Sequence, residues 1–170
     1  QTGIPSFLIS FHRVDTAEDM QAYISRLRQI DRAFDQLLER AQESAAQGIR
    51  PPAYDYDFAI DEINRVTAGV PFTVNDSSPN SPIWVDIQGK IDALVENGLI
   101  DSEQAQAFRR EAREVLAGEV LAAYDKVLAW LEQDKANASE QPQGVWALPD
   151  GEDYYNYRLR LMTTLDLTAD

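Results

Sequence analysis

The chain has 170 residues, 44% of them hydrophobic, which is enough for one packed core and argues against a disordered polymer. Asp and Glu number 29 against 15 Lys and Arg, a net charge of −14 that repels phosphate backbones and anionic headgroups, so nucleic acid and membrane surfaces are poor partners. Cysteine is absent, which removes disulfides, thiol nucleophiles and thiolate metal sites, and no apolar run reaches the ~20 residues that cross a bilayer.

Helical periodicity runs through nearly the whole chain. Ile4, Phe7, Leu8 and Phe11 recur at spacings of three and four, which predicts a short amphipathic helix over Ile4 to Val14, with Pro5 acceptable in its first turn. Thr16 caps a second helix, with Asp19 at the capping-box position and an apolar stripe of Met20, Tyr23, Ile24, Leu27 and Ile30. A third follows from about Asp31 to Gln47 along Phe34, Leu37, Leu38 and Ala41. Gly48 supplies its left-handed terminator, and Pro51 and Pro52 bar continuation.

Tyr54 to Val66 reads as a fourth helix through Phe58, Ile60, Ile63 and Val66, its early acids facing the positive end of the helix dipole. Gly69 to Pro82 holds Pro71, Asn75, a Ser pair, Pro79 and Asn80, a turn-rich composition that predicts the longest loop. Ile83 to Glu96 returns to helix along Ile83, Ile87, Ile91, Leu94 and Val95, closed by Asn97 and Gly98.

From Asp101 or Ser102 to about Lys135 the apolar positions Phe108, Ala112, Val115, Leu116, Val120, Tyr124, Val127 and Leu131 keep helical spacing. One helix of about 50 Å follows from 1.5 Å per residue, with a bend or break at Gly118 as the alternative, since Gly there costs about 1 kcal/mol relative to Ala. Asn137 to Gln143 is a polar surface loop, and Asn137-Ala138-Ser139 matches a glycosylation acceptor only by chance. The last segment builds a helix, and then Thr168, Ala169 and Asp170 carry the cap and first turn of another. A terminus placed in mid-element is expected of a fragment of a larger protein. The expected architecture is all-α: an irregular array of about seven helices in a single helical region over 1–170, organised by the long helix near 102–135, with little or no strand.

No catalytic or metal residue emerges. A catalytic zinc commonly takes three protein ligands, often two His of an HExxH helix, and His12 is the only His. A Ser-His-Asp triad would need the same His12 and lacks both a GxSxG elbow and a Gly-rich oxyanion segment, so His12 reads as structural or as surface. No GxGxxG, P-loop or EF-hand sequence occurs, and no cofactor is expected. Asp55, Asp57, Asp61 and Glu62 could hold a hard cation, but a solvated acidic first turn is the favoured reading. Near the end, Trp146, Tyr154, Tyr155 and Tyr157 surround Pro149, Asp150 and Gly151, followed by Arg158, Arg160, Thr163 and Thr164. Amphipathic aromatics beside Arg suit a binding cleft, but they are also ordinary helix-packing residues, and on the residues alone packing is the favoured reading.

Gly151-Glu152-Asp153-Tyr154-Tyr155 with Arg158, then Thr163-Thr164 and Leu167-Thr168, resembles the G-x-x-Y-Y…T-T…L-T signature of bacterial domain-of-unknown-function family eight-eight-five. His12, Glu18-Asp19, Tyr23, Arg26-Leu27, Gly48-Ile49 and Pro51-Pro52 resemble the same family's H…ED…Y…RL…G…PP pattern. Leu165 stands where a third Thr is expected, and the 69–82 loop matches no part of the pattern. The resemblance implies a longer, mostly helical lipoprotein, periplasmic or membrane-anchored, with an HExxH-type zinc-peptidase motif downstream of this chain. It implies zinc only in that longer parent, with the remainder of the parent and a peptide substrate as partners. Tyr154, Tyr155 and Arg158 are then candidates to line the substrate cleft. A self-standing helical binding or scaffold module is the competing expectation.

Overall fold

The structure is a computed structural model that describes residues 3–73, 79–141 and 144–168. Among these residues the fold is all-α, without strands. The helices are α1 (Gly3–Phe11), α2 (Ala17–Arg28), α3 (Ile30–Ala46), α4 (Ala53–Val66), α5 (Pro82–Glu96), α6 (Ser102–Val115), α7 (Leu121–Lys135) and α8 (Gly151–Thr163). A five-residue π turn, Leu116–Val120, joins α6 to α7, so the expected helix over 102–135 exists as one rod with a widened turn around Gly118. Counted with that rod as one element, the described residues hold seven helices. Asn75 and the Ser pair of the 69–82 loop, Pro142, and the start expected at Ala169 and Asp170 lie outside the described residues.

The helix ends follow local chemistry. Thr16 Oγ1 accepts from the Asp19 amide while the Asp19 carboxylate accepts from the Thr16 amide, a complete capping box at α2. Asp101 and Gln104 repeat the device at α6, and Ser81 caps α5 ahead of Pro82. Gly48 (φ +77°) and Gly98 (φ +68°) terminate α3 and α5 in the left-handed region.

The rod divides the packing in two. Its first half, α6, lies against α2 and α5; its second half, α7, lies against α3 and α4; and the π turn between them touches α2 and α3. The core stripe is Met20, Tyr23, Ile24 and Leu27 of α2, Ile83, Ile87, Ile91 and Leu94 of α5, and Ala112, Val115, Leu116, Val120, Tyr124 and Val127 of the rod, all buried. Phe34 meets Tyr124 edge-on at 4.8 Å between ring centres.

Four stripes differ from the periodic reading, two of them at a single residue, since Leu37 of α3 and Val95 of α5 are exposed. α1 ends at Phe11, short of Val14, and turns Pro5 and Leu8 inward while Phe7 and Phe11 face out. In α4 the buried face is Tyr56 and Ile63, seven residues apart, which leaves Phe58 on the outer side. In α1 and α4 spacing alone allowed either face; the buried Asp134 holds Tyr56 of α4 inward, and the half-buried Lys90 holds the Leu8 and Ile9 carbonyls of α1.

Candidate functional site

Residues 47–52 and, far along the sequence, residues 136–141 and 144–150 meet near the C-terminal end of α7. Pro51 and Pro52 cannot continue α3, and the Ala53 amide instead donates to the Ser139 carbonyl at 2.9 Å, which ties the segments together. Between them lies a cavity of about 340 Å³ lined by Ile49, Arg50, Pro51, Asn137, Ser139 and Val145 among others. A second depression of about 630 Å³ shares Val145 and Leu148 with the first and is bounded by Trp146, Pro149, Gly151 and Tyr155. Thus the Gly48 to Pro52 and Gly151 to Tyr155 parts of the sequence signature border two neighbouring concavities that have Val145 and Leu148 in common.

Arg50, which lines the first cavity, reaches from it into a charged knot at the end of α7. Arg50 Nε donates to both oxygens of Asp134, at 3.1 and 3.0 Å, and Arg50 Nη2 donates to Oδ1 at 3.0 Å. Tyr56 Oη donates to Oδ2 at 2.7 Å, while Asp134 itself is only 7% exposed. These donors hold the Asp134 carboxyl below the usual carboxylate range, the Arg50 guanidinium first among them and against the opposing effect of burial. Burial, then the Asp134 charge, pushes the Tyr56 phenol up to about 12. Neither group is available as an acid or base near neutral pH, so the knot anchors the 47–52 segment instead of supplying chemistry. The sequence did carry a signal for it: Asp134 continues the Val127 and Leu131 stripe at a spacing of three, where an acid requires a buried partner.

Helix α8 rises from the rim. Its first residue, Gly151, is its one buried residue among those described, and its contacts lie chiefly with the 3₁₀ turn Val145–Ala147. Tyr155 borders the larger depression; Tyr154 and Arg158, one helical turn apart, are exposed and line neither cavity. Trp146 is 81% exposed, and Tyr157, Leu161, Met162, Leu165 and Leu167 extend the uncovered apolar surface along and beyond α8. Helix packing against the described core therefore does not account for these aromatics. Thr164 closes α8 in the left-handed region at φ 58°.

The remaining signature residues gather elsewhere, between α1, α2 and α5. His12 is 7% exposed, and Arg26 Nη1 lies 2.7 Å from its Nδ1 and 3.0 Å from its Nε2. The His12 ring rests on the Tyr23 ring at 4.9 Å between centres. Tyr23 Oη donates to Asp86 at 2.9 Å, and Lys90 donates to Asp86 at 2.7 Å. Burial, then the charges of Arg26 and Lys90, holds the His12 pKa below its ordinary value, which makes the imidazole neutral and structural.

A zinc ion does not fit this donor set. Both ring nitrogens of the single His face a guanidinium, and no group of three His, Cys, Asp or Glu able to hold a metal occurs among the described residues. In the acidic first turn of α4, Asp57 is paired with Lys135 and Glu62 with Arg65.

No curated protein matches the chain. The solved structure of a putative lipoprotein from Colwellia psychrerythraea is similar, with a TM-score of 0.85 at 23% identity over 98% of this chain and 26% of that one. At that identity the likeness carries the fold alone, and this chain spans about a quarter of the neighbour's length. A family model described as "bacterial protein of unknown function (DUF885)" matches residues 1–170. With this model matched over the whole chain, the chain belongs to this bacterial family.

Proposed function

We propose that this chain is the helical, non-catalytic portion of a metallopeptidase-like envelope protein, and that α8 with the concavity at its foot shapes or covers a peptide-binding cleft whose metal ligands lie in other residues of the parent. The observation that carries this reading is the uncovered apolar surface of α8 beside that concavity. Tyr154, Tyr155, Tyr157, Leu161 and Met162 are exposed on a single helix seated on a 3₁₀ turn. The lipoprotein description of the Colwellia psychrerythraea neighbour supports placement at the cell envelope, and its greater length supports a parent with further residues for α8 to contact.

The test uses the parent protein. Zinc analysis and hydrolysis of a fluorogenic peptide library are expected to find one bound zinc and peptidase activity in the parent. In the same protein, Tyr155→Ala is expected to raise KM several-fold with little change in kcat, as loss of substrate binding without loss of chemistry requires. A parent without an HExxH-type helix, without zinc and without hydrolysis overturns the peptidase-like reading and favours a helical binding or scaffold module.

A further inference from the structure

The larger depression at the foot of α8 has walls of unlike chemistry. One wall is α8 itself, where Glu152 and Tyr155 stand three residues apart and share a face, their Cβ atoms about 5–6 Å from each other. The other is the 3₁₀ turn, which presents Trp146; Leu148 and Pro149 join the two walls in sequence and add aliphatic lining. The place of Trp146 is built into the backbone. Its six-membered ring fills the space that a Cβ on Gly144 would take, with ring carbons 1.7–2.1 Å from that position, so any larger residue there would displace the indole. So seated, Trp146 is 81% exposed and Tyr155 46%. Among the described residues neither ring meets another ring or a cation.

Glu152 is the one charged residue among the described residues of the lining. A carboxylate in the first turn suits the helix dipole, yet Glu152 is exposed and forms no ion pair or side-chain hydrogen bond among the described residues. Asp150 and Asp153 flank it, and residues 144–157 contain no Lys or Arg. Arg158 lies outside the lining and six residues beyond Glu152, about 9 Å along the helix axis. The depression therefore combines two aromatic rings, aliphatic surface and an unpaired negative charge, in a chain of net charge −14. A side chain with an aliphatic stem and a cationic head satisfies all three at once. Its stem lies on Leu148 and Pro149, and its head meets the rings and the Glu152 carboxylate. An acidic side chain would face Glu152 as a like charge, and an apolar one would gain the surface without the charge.

We propose that this depression is a specificity pocket for a basic residue, arginine or lysine, of the bound peptide, with Glu152 reading the charge between the aromatic walls of Trp146 and Tyr155. The assignment rests on the peptide-cleft reading of this surface and adds a substrate class to it. Arginine is the better fit of the two, because a planar guanidinium stacks on an indole while its edge donates to a carboxylate.

The test is isothermal titration calorimetry of the parent protein with four peptides, acetyl-Ala-Ala-X-Ala-Ala-amide, in which X is Arg, Lys, Leu or Glu. The blocked ends carry no charge, so X alone distinguishes the peptides. Mass spectrometry after each titration reads whether a peptide was cleaved; for a cleaved peptide kcat/KM takes the place of affinity. The Arg and Lys peptides are expected to be favoured about tenfold over the Leu peptide, with the Glu peptide last. Glu152→Gln should reduce the basic preference about fivefold and leave the Leu peptide unchanged, and Glu152→Lys should place the Glu peptide above the Arg peptide; circular dichroism checks that each variant is helical. Equal affinity for the Arg, Leu and Glu peptides, or a basic preference undiminished in Glu152→Gln, overturns the proposal. So does the absence of binding by any peptide, the result if another segment of the parent fills the depression. A parent that cleaves peptides without a basic preference keeps the peptidase-like reading and loses this pocket. One without zinc or hydrolysis that still selects basic peptides through Glu152 loses the enzyme and keeps the pocket.

Discussion

Gly151 lies so close to Val145 that a Cβ added to it would sit 1.9 Å from the Val145 carbonyl oxygen. The obstacle is backbone, held in the 3₁₀ turn, so it cannot rotate away as a side chain would. This contact seats α8 on the rim of the larger depression, and it gives a physical reason for glycine at the head of the G-x-x-Y-Y segment. Gly151→Ala is expected to weaken the seating of α8 by about 1–3 kcal/mol, the usual cost of overpacking. Amide exchange over residues 152–163 should accelerate while that of α6 and α7 is unchanged; equal protection in the two proteins would refute the role given to this contact.

The Arg50, Asp134 and Tyr56 knot should appear in stability measurements. Tyr56→Phe removes one charge-assisted hydrogen bond to a buried carboxylate and is expected to lower unfolding stability by about 1–2 kcal/mol in urea titration. The folded Asp134 carboxyl lies below its ordinary 3.8, so its stabilisation is complete above that value and disappears as pH falls through the lower folded one. Asp134→Asn should accordingly be less stable at pH 7, with the difference from wild type narrowing below pH 3.8.

Alkaline conditions test the buried phenols. Burial raises the ionisation of Tyr23, Tyr56 and Tyr124, so the stability that each contributes is present below the ordinary value of 10.0 and fades as pH climbs through the higher folded values. Of the chain's seven tyrosines, these three are expected to ionise together with loss of helical signal. Absorbance at the phenolate band and circular dichroism, followed in parallel above pH 10, read the two events; tyrosines that titrate fully in a folded protein would contradict the burial described.

Gly118 occupies the exposed side of the π turn, and a Cβ added to it would meet nothing within 4 Å. Gly118→Ala therefore removes backbone freedom from the unfolded chain without a clash. An increase of about 0.5–1 kcal/mol and a Tm higher by about 1–4 °C are expected. A lower Tm would mean that the widened turn requires glycine.

The sequence made most of the helices legible because caps and stripes agreed: Thr16 with Asp19, Pro82 behind Ser81, and the isoleucines of α5 each specify the same boundary or face twice. It failed where one signal stood alone. Phe58 and Phe11 fit an apolar spacing yet face outward, because the polar partners that set the inward face lie 78 or more residues away in sequence. The candidate cleft was half legible: the aromatic cluster after Val145 was visible, whereas its junction with residues 48–52 depends on long-range bonds, from Ala53 to Ser139 and from Arg50 to Asp134. Asp134 shows in the sequence only as an acid on the Val127 and Leu131 stripe, and nothing near it points to Arg50, 84 residues away, as its partner.

The π turn between α6 and α7 also works as slack in the chain. A turn with hydrogen bonds one residue longer than those of an α-helix absorbs one surplus residue while the helices on either side keep their phase. Deleting Gly118 should regularise the rod and leave both buried stripes aligned. Straightening the turn with all its residues retained would instead rotate α7 by about 100° and carry Val127 and Leu131 away from α3 and α4. The rod can thus lose a residue at its midpoint more safely than it can lose its irregularity.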